Sequence, residues 1–134
     1  MMGAGIATSF AAGKEGEKIL NDVIAWYSET NLPTFTPKNP KATIKNLNVS
    51  NSPLCHISVG KWMAKEGVAL KSPERKDRCA RVAASVAYRT VELLNKWHAG
   101  DFEMQNKSQS KEYGITAQDN CMECHGDNVP VPKS

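Results

Sequence analysis

Residues 72–100, SPERKDRCARVAASVAYRTVELLNKWHAG, predict a long helix. Ser72 offers an N-cap hydroxyl, Pro73 suits the first helical position, and Glu74 places an acid in the first turn. Gly100 stands where the chain can leave the helix. Side chains of one face recur at three- and four-residue steps, with Val91 and Leu94 widening the stripe: Cys79, Val82, Ala83, Val86, Thr90, Leu93 and Trp97. We expect this face to form the main wall of the core.

Two shorter helices are predicted before it. One runs from Lys14 to about Ser28, with an apolar stripe of Ile19, Leu20, Val23, Ile24 and Tyr27. The other runs from Leu54 to Glu66, with Gly67 as a C-terminal stop. Between them, residues 31–53 carry four prolines among Thr, Asn and Ser, which predicts a long loop, with a short strand as an option at Leu47 and Val49. A loop of this length is uncommon in a small domain unless it carries function or wraps something.

Length and composition favour one domain over residues 1–134 of an all-α class. The chain is 40% hydrophobic with a formal net charge of +3. No run approaches the eighteen or so apolar residues that a membrane span needs, and the cations are interleaved with acids, so neither a membrane span nor a nucleic-acid partner is expected. Residues 1–12 are small and apolar and should pack against something.

A second feature, near the C-terminus, is Cys121-Met122-Glu123-Cys124-His125, a C-x-x-C-H motif typical of c-type haem attachment. Each thiol can add to one vinyl group of the same porphyrin, and His125 is then held beneath the iron as an axial ligand. An alternative is a zinc or iron–sulfur site held by all four cysteines, Cys55, Cys79, Cys121 and Cys124. That reading leaves the histidine unused, and its spacing is irregular.

A six-coordinate haem needs a second axial ligand. His56 and His98 are the candidate histidines, and Met63 and Met104 are weaker candidates. Trp62 and Trp97 are expected to keep water away from the haem.

The stretch Ser52-Pro53-Leu54-Cys55-His56 repeats the attachment motif with serine in place of the first cysteine. Cys55 could therefore bond a second porphyrin through a single thioether, with His56 as its ligand. Cys55 could instead be an ordinary thiol, or it could form a disulfide with Cys79.

Attachment of haem c usually implies export to an oxidising compartment such as the periplasm. The first twelve residues, however, lack the basic segment and the longer apolar segment of a signal peptide. The natural product could be longer, the start could be trimmed or misassigned, or the protein could travel with an exported partner.

Four stretches together resemble the split-Soret cytochrome c family and the wider redox family named for its C-GCAxxG-C-C cysteine pattern. They are residues 52–59 (SPLCHISV), 73–81 (PERKDRCAR), 90–95 (TVELLN) and the terminal C-x-x-C-H. The resemblance covers the chain from about Gly13 onward and only the C-terminal half of such a protein. Residues 1–12 resemble the end of its upstream helical region.

The resemblance implies an α-helical homodimer with two closely spaced haems per subunit at the interface, and bis-histidine iron whose ligands can come from the partner chain. The three histidines of this chain make one haem per chain the simpler count, with two possible. We therefore expect a small helical domain with long irregular loops wrapped around haem c. It would carry single electrons to and from a redox partner protein. The alternatives are a haem enzyme or gas sensor with an open sixth position, and a zinc- or cluster-stabilised module.

Overall fold

The computed structural model describes residues 1–104, and the regular secondary structure in this range is helical. The helices are α1 (Met2–Ala12), α2 (Gly16–Glu29), α3 (Cys55–Glu66) and α4 (Pro73–His98), with a short 3-10 turn at Gly13–Glu15. The all-α fold class is confirmed for these residues. The C-x-x-C-H motif and most of the connector before it lie outside the described residues.

The boundaries of α3 and α4 follow the capping signals in the sequence. The Ser72 hydroxyl accepts a hydrogen bond from the Arg75 N–H at 3.2 Å, with Pro73 in the first turn. Gly67 ends α3 in the left-handed conformation, at φ 74° and ψ 35°. Gly100, at φ 80°, follows the end of α4. Both predicted helices are confirmed to within about one residue.

Helix α2 lies at the centre of the core. Its Ile19, Val23 and Ala25 are completely buried, and Tyr27 is 2% exposed. Ile19, Val23 and Tyr27 pack in one cluster with buried side chains of α1 and α4, namely Ala4, Ala12, Val82, Val86 and Leu93. The predicted stripe of α4 is correct for these last three residues but wrong for Ala83, which is exposed.

Helix α1 packs closely against the start of α2. Ala4, Thr8 and Ala12 face inward and are buried. A Cβ atom on Gly16 would lie 2.4 Å from the Thr8 carbonyl oxygen, so the two backbones can meet only because residue 16 is glycine. The expected packing of residues 1–12 is thus observed, although another face of α1 leaves Met2, Ile6 and Phe10 exposed.

The long loop between α2 and α3 is held by side chains of the helices. The suggested strand is reduced to one antiparallel bridge, in which Leu32 and Asn48 exchange hydrogen bonds of 3.0 and 3.3 Å. The Ser85 hydroxyl of α4 accepts from the N–H groups of Thr34 and Phe35 at 3.1 and 3.0 Å. Glu66 of α3 accepts from the N–H groups of Lys45 and Asn46 at 2.8 and 2.9 Å. These side chains satisfy backbone N–H groups of the loop, which within residues 1–104 has no β-sheet partner strand to bond them.

No helix within residues 1–104 is both long enough and apolar enough to cross a membrane.

Candidate functional site

An apolar groove of about 720 Å³ opens between α1, the start of α3 and one face of α4. The α4 side chains that line it follow helical spacing: Cys79, Val82, Ala83, Val86, Ala87, Thr90, Val91 and Leu94. Helix α4 therefore has two apolar faces. One packs in the core, and the other, which carries Ala83, Ala87 and Val91, is exposed and lines the groove. The groove has the size and lining that cofactor sites commonly show.

Two cysteines from different helices line this groove. Cys55 is the first residue of α3 and is exposed, and Cys79 lies nearly two turns into α4 and is half-buried. Within residues 1–104 neither forms a disulfide, so the alternative of a disulfide between them is not observed. Ser52, which replaces the first cysteine of the motif-like stretch, is 1% exposed, and its hydroxyl accepts a hydrogen bond from the Leu54 N–H at 3.2 Å. Ser52 shapes the turn that leads to Cys55.

The two candidate histidines lie at different ends of the groove. His56 follows Cys55 in the first turn of α3 and is exposed. His98 is the last residue of α4, is exposed, and extends the groove-lining series one turn beyond Leu94. A helix rise of 1.5 Å per residue puts His98 about 28 Å from Cys79 along the axis of α4. His56 is therefore the chain neighbour of a groove-lining cysteine, whereas His98 is remote from both cysteines, and neither histidine lines the groove itself.

A buried arginine lies behind the wall of the groove at the cysteine end. Arg78 is 1% exposed, and its Nη2 donates to Asn48 Oδ1 at 3.0 Å and to Ser58 Oγ at 2.8 Å. Its guanidinium carbon lies 5.6 Å from the centre of the Trp62 ring. Arg78 is not among the site residues predicted from the sequence, although its place one turn before Val82, on the core-facing side of α4, was a signal that it would be buried.

Tyr27 joins this arginine to the groove. The pKa of the Tyr27 hydroxyl is raised, mainly by burial and also by the nearby Cys55. A hydrogen bond with Ser58 and the charge of Arg78 act in the opposite direction. Ser58 lies one turn after Cys55 on α3 and is completely buried. The Tyr27, Ser58 and Arg78 side chains thus form a polar layer beneath the two thiols.

Neither tryptophan lines the groove. Trp62 is completely buried, and its Nε1 donates to the Asn46 carbonyl oxygen at 2.9 Å. Trp97 packs against the core cluster. The groove lining is mostly aliphatic, and the role of the two tryptophans beside a haem stays a prediction.

Within residues 1–104, no three His, Cys, Asp or Glu side chains come together as a metal site. The four-cysteine alternative also needs Cys121 and Cys124, which lie outside the described residues together with His125.

Comparison with known proteins gives two similarities, while no protein-family model matches the chain. The chain is 33% identical over 125 residues to split-Soret cytochrome c of Desulfovibrio desulfuricans, covering 87% of this chain and 41% of that protein. A solved structure of the split-Soret cytochrome c from this species, described as having a novel iron centre, matches with a TM-score of 0.67 at 27% identity. That match covers 98% of this chain and 58% of the other. The chain thus spans about two fifths of its curated relative.

Proposed function

Because the chain is a homologue of split-Soret cytochrome c, as the resemblance in its sequence indicated, we propose that it is a c-type cytochrome that carries single electrons. The observation that carries this proposal is the 33% identity over most of the chain, in a sequence that also contains a complete C-x-x-C-H motif. The identity supports a haem protein, and the motif supplies the chemistry of attachment.

In this proposal Cys121 and Cys124 would hold one haem covalently through thioethers to its two vinyl groups, and His125 would ligate its iron. The attachment would add each thiol S–H across a vinyl double bond, so it would need no external oxidant. It would leave the cofactor covalently fixed while the rest of the chain controls its surroundings.

The described residues fit a haem at the groove. The lining is mostly aliphatic, and it includes the thiols of Cys55 and Cys79. His56 directly follows Cys55 in α3. When bound, haem supplies reversible one-electron chemistry at iron. Val82, Val86 and Leu94 would cover an apolar face and keep water out, while His56 would ligate iron. His98 is the alternative ligand.

We further infer a bis-histidine, six-coordinate iron in a homodimer, because the family resemblance implies both. One haem per chain remains the simplest count for three histidines, and a second haem on Cys55 is the alternative. The cell compartment is proposed to be the periplasm or another exported location, since haem c is normally attached there. A redox protein would be the partner.

A pyridine haemochrome spectrum with a haem-to-chain ratio tests the proposal. The protein should be produced in cells that attach haem c, and the variant Cys121→Ser/Cys124→Ser should be examined beside it. We expect covalent haem in the wild type at one per chain, lost in the double variant. Absence of haem from the wild type contradicts the proposed function, and a ratio of two that falls to one in Cys55→Ser assigns the second porphyrin to Cys55.

Carbon monoxide separates the carrier from its rival. An iron closed by two histidines should not change its reduced spectrum when the gas is added, whereas an open sixth position binds it. Rapid binding by the dimeric wild type would favour the enzyme or gas-sensor alternative.

A further inference from the structure

Within residues 1–104, Arg78 is a buried positive charge whose polar contacts carry no carboxylate. Its Nη2 donates to the Asn48 amide oxygen and to the Ser58 hydroxyl, its guanidinium faces the Trp62 indole, and its side chain also forms a hydrogen bond with that of Cys79. The Nε atom, also buried, has no hydrogen-bond partner among the described residues. Burial lowers the pKa of Arg78, and the groups that act in the opposite direction are Cys79, Tyr27 and Cys55. None of these is a carboxylate.

Two other arginines of α4, in contrast, each pair with a carboxylate. Arg81, one turn away, pairs with Asp77, its Nη2 lying 2.6 Å from the carboxylate oxygen. Arg89 pairs with Glu92 at 2.7 Å. Burying a charge without a counter-ion costs several kcal/mol, so a fold that needed only packing at residue 78 would be more stable with an apolar side chain. The retained charge therefore points to a role for its field.

The charge of Arg78 lies close to residues that line the groove. Cys79, which lines the groove, is the next residue of α4, and Ser58, which binds the guanidinium, lies one turn after Cys55. The Tyr27 side chain, which also lines the groove, interacts with both Ser58 and Arg78. A unit charge held in this low-dielectric layer is only weakly screened by salt.

We propose that Arg78 is a positioning residue whose buried, unneutralised charge raises the reduction potential of the redox group carried at the groove. This inference rests on the proposed function, because it takes haem iron as that group. One-electron reduction lowers the positive charge on the iron by one. A fixed positive charge nearby therefore favours the reduced form.

Two substitutions change the charge in independent ways. Arg78→Met removes the cation and keeps an apolar side chain in its space. Asn48→Asp places a carboxylate at the atom that already accepts from Nη2 at 3.0 Å, which neutralises the cation. In both variants we expect the equilibrium constant for one-electron reduction to fall about tenfold, which is 59 mV for a one-electron couple.

Two further variants separate charge from structure. Arg78→Lys keeps the charge and should stay within about threefold of the wild type. Ser58→Ala removes one acceptor of the guanidinium without changing any charge, so it should lower stability but leave the potential unchanged. If Arg78 had only a structural role, Ser58→Ala and Arg78→Met would disturb the protein alike, and Asn48→Asp would not move the potential downward.

The measurement is a potentiometric titration of the purified haem-containing proteins, with thermal unfolding recorded on the same samples. If Arg78→Met does not fold, Asn48→Asp and Arg78→Lys still decide the question. A wild type that carries haem, with a potential unchanged in Asn48→Asp, overturns the role of Arg78 and leaves the proposed function standing. A wild type without haem overturns the proposed function itself, which the haemochrome spectrum shows first.

Discussion

Gly16 and Thr8 bring the backbones of α2 and α1 into direct contact: a Cβ atom on Gly16 would lie 2.4 Å from the Thr8 carbonyl oxygen and 2.6 Å from its carbon. The obstacle is backbone, which cannot swing aside as a flexible side chain could. This contact fixes the position of α1, which forms one side of the groove.

Gly16→Ala should therefore destabilise the protein by about 2–3 kcal/mol, since the added methyl group forces the two helices apart. The free energy of unfolding from urea titration measures the effect. Gly60→Ala is the matched control, because Gly60 lies inside α3 and a Cβ there meets nothing within 4 Å. The control should be stabilised by up to about 1 kcal/mol from helix propensity. Equal effects at the two positions would show that the close approach is not a constraint.

Ser85→Ala should loosen the loop between α2 and α3. The Ser85 hydroxyl is 1% exposed and accepts from two loop N–H groups, those of Thr34 and Phe35. Its loss leaves both donors without their acceptor, at a cost of about 2–3 kcal/mol. Ser28→Ala is the control, because the Ser28 hydroxyl donates within its own helix, to the Ile24 carbonyl oxygen at 2.9 Å, and does not bind the loop in the described part of the chain. Hydrogen exchange should show faster exchange at Thr34 and Phe35 in the Ser85 variant alone.

The acid sensitivity of the same loop should depend on Glu66. Burial raises the pKa of Glu66, but it is outweighed by hydrogen bonds from the Lys45 N–H and from the side chain and N–H of Asn46, so the pKa is lowered overall. A lowered folded-state pKa contributes stability above the unfolded value, near 4.5. That stability is lost as the pH falls through the folded value.

Glu66→Gln should therefore be less stable than the wild type at pH 7, and the difference should shrink as the pH falls below about 4.5. Urea midpoints at pH 7, 5, 4 and 3 measure it. A difference that stays constant down to pH 3 would mean that the ionised carboxylate adds nothing beyond what the amide provides.

The sequence predicted those parts of the structure that depend on local chemistry. The capping signals at Ser72 and Gly67 and the three- and four-residue spacing of Ile19 and Val23 act within one or two turns of helix, so they can be recognised without the fold. What the sequence could not show was which face of α4 meets α2 and which is left open, because Val82 and Ala83 are both apolar and adjacent. The sequence likewise could not show that Arg78 binds Asn48 and Ser58, because both partners are distant from it in the chain.

His56 should be an axial ligand of the proposed haem, and its replacement should change the spin state of the iron. His56 directly follows Cys55, which lines the groove together with Cys79, whereas His98 lies one turn beyond Leu94, a groove-lining residue remote from both cysteines. We expect His56→Ala to convert a low-spin spectrum to a high-spin one, and added imidazole to restore it. His98→Ala, an equally exposed histidine at a helix end, should keep the low-spin spectrum. The reverse result would place the iron at the far end of α4, and a low-spin spectrum in both variants would remove both histidines as ligands.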